Sequence, residues 1–133
     1  MLCLPGNDDC EDAFVIDDAL TPFSTIGSTT DGPTIPDICF CDFAGCIFES
    51  DIWYDYTPTC TGTATFSACN DDDPETGEAD YDTRLAAYEG CDCPADNDDL
   101  VGCNDDGIGG SGFTSIMQIP VIEGVCDKIR LGG

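Results

Sequence analysis

The stretch DIWYDYT (residues 51–57) alternates residue by residue. Ile52, Tyr54 and Tyr56 fall on one face of a strand, and Trp53 and Asp55 on the other. TATFSAC (residues 63–69) repeats the pattern, with Ala64, Phe66 and Ala68 on one side and Thr63, Thr65 and Ser67 on the other. The short PTCTG between these runs reads as a hairpin loop. AFVIDDAL and TPFSTIGSTT (residues 13–30) form a first strand region, and YDTRLAAYEG (81–90) a further strand, although RLAAYE alone also suits a helical turn. TSIMQIPVIEG (114–124) and VCDKIRLGG (125–133) supply the last two, and Pro120 marks the former as an edge or broken strand. Acidic loops at residues 70–80 and 94–99 separate these runs, and no domain boundary interrupts them. Short strands punctuated by Gly, Pro and Thr predict one all-β domain, a single antiparallel β-sandwich over residues 1–133.

Charge changes the picture from fold to environment. Twenty-eight acids face three bases, a net charge of −25. Such a chain repels nucleic acid, whose affinity rests on Lys and Arg contacts to phosphate, and it repels anionic membranes. It attracts cations, and compaction at this charge costs self-repulsion that bound Ca²⁺ or high salt offsets. With no His, a Ser-His-Asp or Cys-His catalytic arrangement is impossible. Carboxylate pairs are too numerous to single out a glycosidase pair, so the chain is expected not to be an enzyme.

Eleven cysteines without His favour disulfides over zinc, and therefore an oxidising, extracellular or cell-surface location. The odd number leaves at least one thiol free or bonded to another chain. Candidate bridging residues are Cys10, Cys39, Cys41, Cys46, Cys60, Cys69, Cys91, Cys93 and Cys103. The pairings expected are Cys91 or Cys93 with Cys103, Cys39 or Cys41 with Cys46 or Cys10, and Cys60 with Cys69 across the hairpin. The start MLCLPGNDDC lacks a basic n-region and a long apolar run, so no intact signal peptide is expected in the sequence.

Asn-Asp-Asp occurs four times, opening at Asn7, Asn70, Asn97 and Asn104. None fits an EF-hand loop, since DNDDLVG places Leu100 where the fifth-position ligand belongs. Asn and Asp also favour turns through bonds to nearby backbone, which is the plain alternative for each copy. The copies at Asn7, Asp8 and Asp9 and at Asn104, Asp105 and Asp106 adjoin a cysteine that would pin the loop, which favours them as Ca²⁺ ligands. The run Asn97–Asp99 has no such cysteine and reads as a turn.

The ordered set NDDC, DIWY, TGTATFS, YDTRLAAYEG, CNDD and IRLGG resembles a bacterial extracellular Cys-rich NDDC-type β-sandwich module. That module is similar to the pre-peptidase C-terminal-like jelly-roll domains, and the match runs from about residue 7 to 133. The resemblance implies a non-catalytic domain, appended to secreted enzymes or strung along surface proteins. It implies Ca²⁺ ligation by the N-terminal acidic segment and the Asp before the WY strand, here Asn7, Asp8, Asp9 and Asp51. The family's strand after IRVGG does not follow IRLGG here: either the sequence is incomplete, or another segment, such as a neighbouring chain's strand, is expected to fill the unpaired edge. Residues 1–20 are the expected donor. The expected function is a structural module for adhesion or a head-to-tail filament. The alternative is an accessory domain of a secreted enzyme that docks polysaccharide or collagen, which Trp53, Tyr81 and Tyr88 exposed on one face would favour; the plainer reading packs Trp53 under a loop or against the Cys-rich segment.

Overall fold

The computed structural model describes residues 5–19, 21–34, 50–68, 83–104 and 115–133. Within them are seven strands: β1 (Phe14–Ile16), β2 (Ile52–Tyr56), β3 (Gly62–Ser67), β4 (Arg84–Glu89), β5 (Leu100–Asn104), β6 (Ile116–Val121) and β7 (Asp127–Gly132). Two 3-10 turns, Cys10–Asp12 and Asn97–Asp99, complete the described elements. The all-β expectation holds. RLAAYE is a strand and not a helical turn, and of residues 13–30 only β1 is strand.

The strands form a five-stranded sheet, β1-β2-β7-β4-β5, and a two-stranded sheet, β3-β6. The pairings are antiparallel except β1–β2, which is parallel. The long connection from β1 to β2 gives the chain room to re-enter from the same end, which a parallel pair requires. The hairpin expected between β2 and β3 is not formed. β2 pairs with β1 and β7, while β3 pairs with β6, so residues 57–61 turn a corner from one sheet to the other.

The two sheets share a core. Ile52, Tyr54 and Tyr56 from β2, Leu85 and Ala87 from β4, and Ile129 and Leu131 from β7 meet Met117, Ile119 and Val121 of β6. Ala64 and Phe66 of β3 pack against them, Phe66 edge-on to Tyr56 at 5.2 Å. The inward sides of β2 and β3 are therefore the ones their alternation predicts. Pro120 lies on β6, which hydrogen-bonds only β3 among the described strands. Its other flank is packed by β5, where Gly102 admits Ile119 at a distance a β-carbon would block.

The five-stranded sheet is covered on its other face as well. There Trp53, Ala86, Tyr88 and Cys10 form a second buried cluster, joined by Ala13, Cys93, Ala95, Leu100 and Cys103. The N-terminal segment and the stretch after β4 thus roof this sheet. That is why every position of β7 is buried, Lys128 and Arg130 included.

At the start of β7 a carboxylate is buried on the inward side of the sheet, the side of Ile129 and Leu131, in register with Tyr56. Asp127 stands opposite Glu89 in the β4–β7 register. Burial pushes its carboxyl above the ordinary value, a backbone hydrogen bond at Gly90 pulls it down, and the Glu89 charge pushes it up again. A raised folded-state value means stability that is full below the unfolded value, 3.8, and lost as pH rises through the folded one. Ionised Asp127 is therefore destabilising at neutral pH. Asp127→Asn is expected to raise the melting temperature at pH 7 by roughly 1–3 °C, as a change of about half a kcal/mol would. Melting curves against pH check it: the gain should vanish near pH 3.

Candidate functional site

The N-terminal acidic segment is fastened to β2 at every step. Trp53 N–H donates to the Asn7 carbonyl at 3.0 Å, and Asn7 Nδ2 donates back to the Trp53 carbonyl at 3.0 Å. Asp8 accepts from Thr29, from its N–H at 2.6 Å and its hydroxyl at 2.9 Å. The Thr29 carbonyl in turn accepts from Asp51 N–H at 3.0 Å. The Cys10 N–H donates to Asp31 at 2.6 Å, and Cys10 is bonded to Cys93.

Asp51 lies at the centre and is fully buried. Its Oδ1 accepts from Asp31 N–H at 2.9 Å. Its Oδ2 accepts from Gly32 N–H at 3.1 Å and from Arg130 Nε at 2.7 Å. Arg130, also buried, donates through Nη1 to the Pro33 carbonyl at 2.7 Å and to the Tyr88 hydroxyl at 3.3 Å. Its guanidinium carbon stands 5.4 Å from the Trp53 ring centroid, within cation–π range. The Tyr88 ring completes the stack, 6.0 Å from Trp53. Burial pushes the Tyr88 phenol up, against the pull of Arg130. Gly32 is required at this point, since a β-carbon there would overlap the guanidinium. Ser50, just before Asp51, is held at φ 62°, a left-handed conformation uncommon outside glycine.

A second buried cation lies one turn of the pleat away. Lys128 Nζ pairs with Asp55 at 2.7 Å and donates to the Cys10 carbonyl at 3.0 Å. Two of the chain's three bases are thus turned inward, Lys128 onto the N-terminal segment at Cys10 and Arg130 onto Asp51 and Pro33. Alternation along DKIRL placed Lys128 and Arg130 opposite Ile129 and Leu131 but gave no sign that their face is roofed. The scarcity of bases was the available signal, since a buried carboxylate such as Asp51 must find one of three partners.

The expected Ca²⁺ ligands separate under this geometry. Asn7 is bonded to Trp53, and Asp8 is linked to Asp51 only through Thr29; Asp51 itself does not fit a metal. Both its oxygens accept hydrogen bonds, and a guanidinium already neutralises it. Asp9 is different: it is exposed, and slight desolvation and then the charges of Asp31, Asp8, Asp12 and Glu11 push its carboxyl above the ordinary value. Among the described residues, the carboxylates of Asp8, Asp9 and Asp51 do not converge within the 4.8 Å that marks a ligand cluster. One set does converge, Asp55 with Cys91 and Cys126, but both sulfurs are spent in a disulfide and Asp55 holds Lys128. Asn104 uses its side-chain carbonyl to accept from Ile116 N–H at 3.1 Å, and Asp105 and Asp106 lie outside the described residues. Asn97–Asp99 is a 3-10 turn capped by the Asp96 carboxylate, as its composition suggests.

The cysteine pairings differ from those expected. Cys10 joins Cys93, not Cys39 or Cys41, and Cys91 joins Cys126, which was not among the candidates. Cys103 is disulfide-bonded, but to neither Cys91 nor Cys93. Cys60 is a free, exposed thiol, so the Cys60–Cys69 bridge is not formed. Cys39, Cys41, Cys46 and Cys69 lie outside the described residues. Trp53 is fully buried, and so is Tyr88, so neither faces a ligand; Tyr81 lies outside the described residues. At the corner near Cys60, the Tyr56 hydroxyl donates to Asp18 at 2.6 Å. That bond, with burial and the Asp18 and Cys60 charges, pushes the phenol up to about 12.

The class that fold and site define is a disulfide-stapled β-sandwich with an N-terminal strap tied down by a disulfide and a buried lysine. No family model matches the chain, and no curated protein or solved structure matches it either.

Proposed function

We propose that this chain is a non-catalytic structural module of the cell exterior, stabilised by disulfides and Ca²⁺, that serves in adhesion or in an extracellular assembly. The observation that supports it most is the strap. A disulfide, the buried Lys128 on the Cys10 carbonyl and the paired Asn7–Trp53 hydrogen bonds fix residues 5–13 in place. That investment suits a part that must stay folded outside the cell, where disulfides persist. No helix among the described residues is long and apolar enough to cross a membrane. The docking alternative loses support, because Trp53 and Tyr88 are enclosed.

The same strap relocates any assembly contact. The expected donor, residues 1–20, pairs through β1 with its own β2 and is bonded to its own Cys93. Crossing to a neighbour would break both, so strand donation by this segment is not part of the proposal. In this reading Ca²⁺ is assigned to the exposed carboxylates Asp9 and Asp31, whose charges repel each other; Asp8 is buried and both its oxygens accept from Thr29. Chelation in low salt is expected to lower the melting temperature by roughly 5 °C, with Ca²⁺ restoring it, as binding to the folded state alone requires. Asp9→Ala should abolish the response. Identical melting with and without chelator would remove Ca²⁺ from the proposal.

A further inference from the structure

Near the start of β7, three neighbouring strands bring together side chains from outside the strap. Cys91 follows β4, Cys126 precedes β7, and Asp55 lies on β2. The Asp55 carboxylate and the sulfurs of Cys91 and Cys126 lie within 4.8 Å of one another, and all three residues are half-buried. The sulfurs are joined as a disulfide, with Cα atoms 5.7 Å apart. That bond is not the only thing that gathers them. β7 pairs with β2 on one side and β4 on the other, with Asp55 opposite Lys128 and Glu89 opposite Asp127. A further bridge joins Gly90 to Asp127. Backbone pairing one residue from each cysteine therefore holds their positions with the disulfide open.

The open form offers a donor set. Two thiolates and a carboxylate suit a tetrahedral zinc-class ion, with water in the fourth position. Bonds of about 2.3 Å to sulfur set the two sulfurs roughly 3.8 Å apart, which Cα atoms 5.7 Å apart reach by side-chain rotation. Lys128 Nζ takes Oδ1 of Asp55 at 2.7 Å and leaves the second oxygen of that carboxylate for a metal. A fixed partner on a ligating carboxylate is the usual outer support of such a site. Charge closes as well. Two thiolates and Asp55 carry three negative charges, Lys128 carries one positive, and a divalent cation brings the group to neutrality.

We propose that Cys91, Cys126 and Asp55 form a redox-gated site for a divalent cation of the zinc class, open when the Cys91–Cys126 disulfide is reduced and erased when it forms. The inference goes beyond the structural-module reading and is separate from its Ca²⁺ claim, since Ca²⁺ takes oxygen ligands and two of these three donors are sulfur. The gate is a thiol–disulfide exchange. A dithiol gives one hydrogen to each sulfur and is itself oxidised to a disulfide; the cation then displaces two protons from the thiols. Access favours this bond over the strap bond, because both its cysteines are half-buried whereas Cys10 is buried. The cation thereby holds the pair in place of the disulfide wherever thiols stay reduced.

Graded dithiol treatment of the intact chain tests it, with the opened cysteines mapped by alkylation and mass analysis. After the dithiol is removed under inert gas, the protein is titrated with Co²⁺ as the spectroscopic stand-in for Zn²⁺. Protein with the Cys91–Cys126 bond open should take one Co²⁺ and show the strong visible absorption of tetrahedral thiolate coordination. Zn²⁺ should displace the Co²⁺, and reoxidation should release it. Asp55→Asn should weaken binding roughly tenfold or more. Asp55→Asn with Lys128→Met gives the same reading if an unpaired Lys128 impairs folding. Cys91→Ser with Cys126→Ser should take no Co²⁺ under the same treatment. Tetrahedral absorption that persists in the double serine variant, or that both Asp55 variants leave intact, overturns this site. So do equal binding by the oxidised chain, weakly absorbing octahedral Co²⁺ alone, a strap disulfide that opens first, and a chain that unfolds as the Cys91–Cys126 bond opens.

Discussion

Asp51→Ala is expected to cost roughly 3–5 kcal/mol, the usual penalty for leaving a buried charge without its partner. The carboxylate is fully buried and accepts from Arg130, Asp31 N–H and Gly32 N–H. Removing it strands the guanidinium beneath the strap and frees two backbone donors. Against a typical stability of about 5–15 kcal/mol this is a large fraction, and urea unfolding should show it as a fall in midpoint. The double variant Asp51→Ala, Arg130→Met should recover more than half of the loss, since an apolar pair of similar bulk does not leave a charge behind. The measurement also separates two roles for Asp51. A structural ion pair predicts the same loss in Ca²⁺ and in chelator; a loss seen only in Ca²⁺ would make Asp51 a metal ligand.

The second large effect belongs to the strap disulfide. Cys10 and Cys93 are 83 residues apart, so their bond closes a long loop in the unfolded chain. The chain-entropy relation assigns such a loop about 4–5 kcal/mol, and the Cys91–Cys126 bond, spanning 35 residues, somewhat less. Replacing Cys10 and Cys93 by serine together should lower the unfolding midpoint accordingly. It should also loosen the cover over Trp53, moving its emission to longer wavelength before global unfolding. Unchanged emission up to the main transition would show that Lys128 and the Asn7–Trp53 hydrogen bonds hold the strap without the disulfide.

Sequence carried some of this and not the rest, for physical reasons. The alternation in IWYDY set Ile52, Tyr54 and Tyr56 into the core because one face of the strand really is apolar. The same alternation left the other face undetermined. Whether Trp53 meets solvent or a roof depends on residues 5–13 and 91–103, whose arrival over β2 no local pattern encodes. The corner at residues 57–61 failed for a related reason. Its length suits a hairpin, but β2 is already flanked by β1 and β7, so the chain must leave for the other sheet. The link between the N-terminal acidic segment and the DIWY strand was implied by the resemblance alone. That Asp51 serves Arg130 was not legible, because DIWY and IRLGG are 79 residues apart and only the antiparallel pairing of β2 with β7 sets them side by side.

The inward placement of the bases also governs how the chain meets proteases. An enzyme that cuts after lysine or arginine has three bonds to choose from, following Arg84, Lys128 and Arg130. All three lie within hydrogen-bonded strands of the larger sheet, two of them wholly enclosed. Cleavage by such an enzyme must wait until that sheet opens, so its rate follows the opening of the fold and not the exposure of any loop. The long acidic stretches of the sequence contain no lysine or arginine and offer that class of protease nothing to recognise.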